Sequence, residues 1–127
     1  MAVVVGFIPT EVGFKALAAA RDEAEQRGGP LIVVNVLREG VGDDPRHADE
    51  QHREIARDQM RGANVRVEFR QETTDDDIAD VLLRVQEEEK AELLVLGVRR
   101  HRELARHLLG LTVQKLLLSA DCEVLVV

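Results

Sequence analysis

Asn64-Val65-Arg66-Val67-Glu68-Phe69-Arg70 decides the strand order of this chain. Val65, Val67 and Phe69 alternate with Arg66, Glu68 and Arg70. A strict period of two puts the apolar set on one face and the charged set on the other, so the segment reads as a strand with one wet face. The other apolar runs are different. Residues 3–8, 31–37, 92–98 and 122–127 are almost continuously apolar, as strands covered on both faces are. Residues 64–70 therefore belong at an edge of the sheet.

Helical segments separate these runs. Residues 11–27 carry Val12, Ala16, Ala19, Ala20 and Ala24 along one side, with Thr10 as cap and Gly28-Gly29-Pro30 as stop. Residues 46–61 place Ile55, Ala56 and Met60 on one face, with Gly62 following as a stop. Thr74 with Asp77 forms a capping box, and Asp75 to Asp77 suit the positive end of a helix dipole. That predicts a helix over residues 75–90 burying Ile78, Val81, Leu82 and Val85. A last helix covers residues 111–119.

Strands alternating with helices imply parallel pairing with helices on both faces. The expected fold is a single three-layer α/β domain over residues 1–127 with a five-stranded parallel sheet. Two strand orders are common, 2-1-3-4-5 and 3-2-1-4-5, and only the second puts the third strand at the edge. In that order the direction reverses between strands one and four. Ligands bind beyond the carboxyl ends of strands at such a point, which here means residues 7–10 and Gly97 onward.

Composition narrows the function. The 127 residues are 45% hydrophobic and 32% charged, with a net charge of −7. An acidic chain repels phosphate backbones, and Phe7, Phe14 and Phe69 are its only aromatics, which weighs against nucleic acid as partner. No apolar run reaches the length of a membrane helix, and no secretory signal opens the chain. The expectation is a cytoplasmic protein without a membrane or metal partner. One cysteine excludes a disulfide framework, and Cys122 at the start of a buried strand reads as a small core residue. His47 and His52 are five residues apart, His101 and His107 six, where helical metal pairs want three or four. There is no G-x-S-x-G elbow, Walker loop or H-x-G-H motif, so no catalytic residue is assigned.

Several segments resemble the universal stress protein family, and they cover nearly the whole chain. The first strand with Thr10-Glu11 and Lys15-Ala16-Leu17 resembles the family's opening, and Val36 ends the second strand as the family's valine does. Ala91-Glu92-Leu93-Leu94-Val95-Leu96-Gly97 resembles its "A-D-L-I-V-M-G" segment, and residues 120–127 resemble "A-x-C-P-V-L-V-V". The resemblance implies the adenine-nucleotide alpha-hydrolase-like sheet of order 3-2-1-4-5, in agreement with the edge argument.

Many members bind ATP through an aspartate after the first strand and a loop G-x2-G-x9-G-(S/T). In this chain Ile8 stands at the aspartate position, Arg100 at the second glycine and Leu111 at the hydroxyl residue. Gly97 and Gly110 keep the other two glycines, and Thr112 lies one step beyond Leu111. Glycines let backbone N–H groups approach phosphates, and the hydroxyl adds a donor. With three of the five positions changed, the chain resembles the branch that does not bind ATP, and no cofactor is expected.

Residues 99–107 hold four arginines and two histidines against one acid, Glu103. This stretch reads either as a solvated loop or as an anion site in which Arg replaces backbone amides. The resemblance thus implies a non-enzymatic, stress-associated regulatory or interaction protein with an unknown protein partner. The alternative is a nucleotide- or other phosphate-binding protein, a slow ATPase or second-messenger sensor among its forms. Its site would comprise Ile8, Thr10, Val36, Gly97, Arg99, Arg100, Arg102, Gly110 and Thr112.

The last strand lacks edge protection. Val124, Leu125, Val126 and Val127 are apolar on both faces, with no Pro, Lys or bulge signal. A two-fold homodimer pairing this strand with its symmetry mate is the expected cover, and the resemblance implies the same edge.

Overall fold

A computed structural model describes residues 1–39, 47–75, 77–98 and 111–127. Its elements are β1 (Val3–Gly6), α1 (Glu11–Arg27), β2 (Leu31–Arg38), α2 (Glu50–Gln59), β3 (Val67–Thr74), α3 (Ile78–Glu89), β4 (Leu93–Leu96), α4 (Leu111–Ser119) and β5 (Glu123–Val126). The five strands form one sheet of order β3-β2-β1-β4-β5, every neighbouring pair parallel. The order is the one expected from the charged alternation of the third strand, although Val67 to Arg70 are all part-buried and neither face is fully wet.

Alternation along the central strands splits the core into two. Val3, Val5 and Phe7 point to one face with Leu31 and Val33, where Ala16, Leu17, Ala20 and Ala24 of α1 and Ala56 of α2 cover them. Val4 points to the other face with Ile32, Val34 and Leu94, under Leu82 and Val85 of α3 and Leu116 of α4. β1, β2 and β4 are buried on both sides, which is why their sequences do not alternate.

Helix ends follow local chemistry. Thr10 caps α1, its Oγ1 accepting from the Gly13 N–H at 3.1 Å, and Gly28 closes the helix at φ 69°. Asp49 caps α2 by accepting from the His52 N–H at 2.9 Å. That helix is shorter than residues 46–61, ending on Met60 before the left-handed turn at Gly62.

The third strand and third helix also differ from the sequence expectation. β3 begins at Val67 and runs through Thr74, so it pairs residue for residue with all of β2, Leu31 opposite Val67 and Arg38 opposite Thr74. Thr74 is consequently a buried strand residue whose carbonyl accepts from the Glu39 N–H at 2.8 Å, and it does not cap a helix. The cap is Asp77, which accepts from the Ala79 N–H at 3.0 Å. β-Branched residues favour the ladder and a carboxylate favours the cap, so the boundary falls after the threonines.

β1, β4 and β5 are shorter than their apolar runs, but pairing continues past them. Phe7 N–H donates to the Val34 carbonyl at 2.8 Å, Glu92 to Ala2 at 2.9 Å, and Val127 to Leu96 at 2.8 Å. Along β5, Val124 and Val126 pack on one core and Leu125 and Val127 on the other, all four part-exposed.

Candidate functional site

The reversal of strand order between β1 and β4 leaves a cavity of about 170 Å³ at their carboxyl ends. Its existence traces to residues that lack bulk. A Cβ on Gly6 would stand 3.1 Å from Leu96 Cδ2 and 3.2 Å from Leu82 Cδ1, so the bare glycine keeps the cavity floor open. Ile8 and Val36 wall the sheet side, Ile78 and Leu82 the α3 side, and Thr112 and Val113 the α4 side.

Of the residues singled out from sequence, this cavity brings Ile8, Val36, Gly97 and Thr112 together. Leu111 is 84% exposed, so the hydroxyl at the cavity belongs to Thr112. Thr10 does not line it; its oxygen is engaged in capping α1. Arg99, Arg100, Arg102 and Gly110, with the rest of the basic stretch, lie outside the described residues.

Gly97 has a packing role on the ligand-free chain. A Cβ there would lie 2.5 Å from Val12 Cγ1 and 2.8 Å from the Val12 carbonyl oxygen. The first turn of α1 thus rests on the backbone at the end of β4. Gly13 completes this close approach, since a Cβ on it would fall 1.8 Å from the Ile8 carbonyl oxygen. The cavity wall at Ile8 is pinned from behind by the same helix turn.

Charge sits beside the cavity. Lys115 of α4 reaches Asp80 at 2.8 Å and Asp77 at 3.1 Å, tying α4 to the start of α3. The Ala79 N–H, and then Lys115, hold the Asp77 carboxyl below its usual range. Hydrogen bonds to Asp80 and then Asp77 raise the Lys115 ammonium. These groups are part-exposed, so the clamp orients the two helices more than it stabilises the fold.

Cys122 is not a poised nucleophile. Burial pushes the Cys122 thiol up, and Asp121 and Glu123 add to the shift, which disfavours the reactive thiolate. Among the described residues no group of His, Cys, Asp and Glu could hold a metal ion, and no helix is long and apolar enough to cross a membrane.

Sequence reasoning treated Ile78 and Leu82 as plain core and did not place them, Gly6 or Val113 at the site. Their spacing signals burial, and only the sheet order shows that they face a void. A glycine inside an apolar strand run was the available signal.

Sequence comparison identifies the lineage. The profile of the universal stress protein family matches residues 1–127. The chain belongs to the universal stress protein family. A universal stress protein of Mycolicibacterium smegmatis is 30% identical over 125 residues, spanning 98% of this chain and 95% of that protein. Solved structures share the fold. A universal stress protein in complex with cAMP superimposes with TM-score 0.72 at 23% identity, over 100% of this chain and 96% of that one. A universal stress protein from Archaeoglobus fulgidus in complex with dAMP gives 0.67 at 18% identity, over 98% and 94%.

Within this universal stress protein, the residues present fit a nucleotide in part. The apolar cavity suits a flat ring. Ile8 offers no carboxylate to a sugar hydroxyl, and Thr112 is the hydroxyl side chain on the α4 side of the cavity.

Proposed function

We propose that this chain is a regulatory or interaction protein that performs no chemistry, and that it does not hold ATP through the anchors of the ATP-binding members. The observation that supports this reading is Ile8 in the cavity wall. A branched alkyl group occupies the place where a carboxylate would engage a sugar hydroxyl, and its neighbours Val36, Ile78 and Leu82 are apolar as well. Nucleotide binding with a buried hydroxyl left unpaired is penalised.

The test is a thermal shift with ATP and magnesium on the purified chain, with the supernatant of denatured protein examined for released nucleotide. The reading expects no rise in melting temperature and no nucleotide. A saturable rise overturns it.

A second reading is favoured by the two solved structures described with cAMP and dAMP. In it a purine rests against Ile8, Val36 and Leu82, and Arg99, Arg100 and Arg102 take the phosphate in place of glycine amides. A titration with cAMP separates the two readings, since the first expects no saturation.

The chain is further proposed to act as a homodimer through β5. Its edge position in the sheet and part-exposed apolar residues support this assembly.

A further inference from the structure

The opposite face of the sheet carries a second cavity, of about 120 Å³, between α2 and the strands β2 and β3. Its floor is apolar, made by Phe7, Val33 and Ala56, and Phe69 closes the side toward the sheet edge. The polar groups at its rim are ordered by one another. Asn35 Nδ2 donates to the Phe7 carbonyl at 2.9 Å, and its Oδ1 accepts from the Ala48 N–H at 3.2 Å and from Gln71 Nε2 at 3.1 Å. Gln71 Nε2 also reaches the Ala48 carbonyl at 3.2 Å. This network fixes the chain where it enters α2.

Arg53 and Arg57 border the same cavity one helical turn apart. Like charges at that spacing repel weakly, and an anion between them would relieve the repulsion. Arg53 gives one N–H to Gln71 Oε1 at 3.2 Å and approaches Glu50 at 3.5 Å. The Arg57 side chain makes no hydrogen bond or ion pair among the described residues; its guanidinium carbon lies over the Phe69 ring, 5.5 Å from the centroid. A guanidinium held over a ring keeps its N–H groups available to donate.

We propose that this cavity binds a compact carboxylic acid with an apolar body. The carboxylate lies on Arg57 and Arg53, and the body rests on Phe7, Val33 and Phe69. The planar N–H edge of a guanidinium matches a carboxylate in a two-point contact. A singly charged group is favoured over a phosphate dianion, because Glu50, Glu54 and Asp58 stand on the same helix and the chain carries −7 overall. At about 120 Å³ it is smaller than the switch-point cavity of about 170 Å³, which suits a compact ligand. Phe7 borders both cavities, whereas Arg53, Arg57 and Phe69 border this one and not the switch-point cavity.

The experiment is a titration of the ¹⁵N-labelled full chain with sodium benzoate, followed by amide shifts, with inorganic phosphate in parallel. Saturable shifts are expected at Ala48, at Phe69 and at the Gln71 side-chain amide. Arg57→Gln is expected to weaken binding by about tenfold or more, the loss of a charge-assisted contact. Arg57 is exposed, so the variant is expected to fold, and its melting curve checks that. Arg61→Gln, at an exposed arginine just past α2 that does not border the cavity, is expected to leave benzoate binding unchanged. The proposal is overturned if millimolar benzoate gives no saturable shift, if Arg57→Gln binds it as tightly, or if phosphate binds more tightly than benzoate.

Discussion

Gly97→Ala separates two roles for the first glycine of the loop after β4. If Gly97 serves only to let a phosphate approach, the substitution leaves the ligand-free protein unharmed, and it removes conformational freedom from the unfolded chain, which stabilises by about 0.4–1 kcal/mol. The geometry points the other way. The added methyl meets Val12 Cγ1 at 2.5 Å and the Val12 carbonyl oxygen at 2.8 Å, and the second contact is backbone. A rotamer change relieves the first contact only. Retreat of α1 is resisted from both sides, by the Thr10 cap and by the close passage of Gly13 over the Ile8 carbonyl. Overpacking of this kind costs about 1–3 kcal/mol. Setting the entropic gain against it leaves a net loss of roughly 1–2 kcal/mol, or about 4–8 °C in melting temperature for a domain of this length. The control is Gly6→Ala, whose methyl meets only the ends of Leu96 and Leu82, at 3.1 and 3.2 Å. Those side chains can turn into the cavity, so its cost should be the smaller. Urea and thermal melts of the two variants, without nucleotide, give the comparison. A Gly97→Ala protein as stable as the parent refutes the packing role.

Other substitutions address different parts of the chain. Asn35→Ala should destabilise by about 1–3 kcal/mol, because it strands the buried Ala48 N–H and the Phe7 carbonyl; hydrogen exchange at Ala48 should rise in step. Asp77→Asn keeps a good helix cap and removes the charge facing Lys115. The Asp77 carboxyl is depressed in the folded state, so its contribution is present above the ordinary carboxylate range and is lost as pH falls through the depressed value. The urea-midpoint gap between parent and variant should therefore be open at neutral pH and close below about pH 4. Lys115, raised by Asp80 and Asp77, acts oppositely: its contribution persists until pH rises through the raised value. Light scattering should give twice the chain mass, and Val126→Lys should dissociate the pair by placing an unpaired charge in an apolar contact; a folded Val126→Lys protein that stays dimeric places the interface elsewhere.

Strand order was legible because a strand at the sheet edge admits charged side chains that strands buried on both faces do not. Arg66, Glu68 and Arg70 carry that difference, and β3 is an edge strand. The expected split into one buried and one wet face is not found: Val67 to Arg70 are all part-buried, because Arg70 covers its face by pairing with Glu72, Glu88 and Glu89. The start of α3 was not legible in the same way. Thr74 and Asp77 satisfy a local capping rule, but Thr74 has a partner opposite it, Arg38 of β2, that only the folded sheet supplies. A tertiary ladder overrides a local preference of similar size. The Asn35 network had a visible trace, a single amide side chain inside the apolar run of β2. Its partners Ala48 and Gln71 lie 13 and 36 residues on, so the trace carries no direction. The cavity at the switch point was legible in position, from the order of strands, and in its residues Ile8, Val36, Gly97 and Thr112 through family resemblance.

That cavity requires no ligand to explain it. Its opening follows from reversal of strand order, which parts the connections leaving β1 and β4, and from Gly6, where a side chain would otherwise meet Leu82 and Leu96. Gly97 answers to the close seat of α1. Each of these features would persist in a member that bound nothing there, because removing any one disturbs packing. The residues that bear on function are those that packing leaves free to vary. Ile8 is such a residue, part-exposed at the cavity wall, where an aspartate would fit sterically and reach water. A carboxylate there would cost the fold little, so the alkyl group is not imposed by packing. Ile8, and not the glycines, is therefore the residue on which the proposed lack of ATP binding turns.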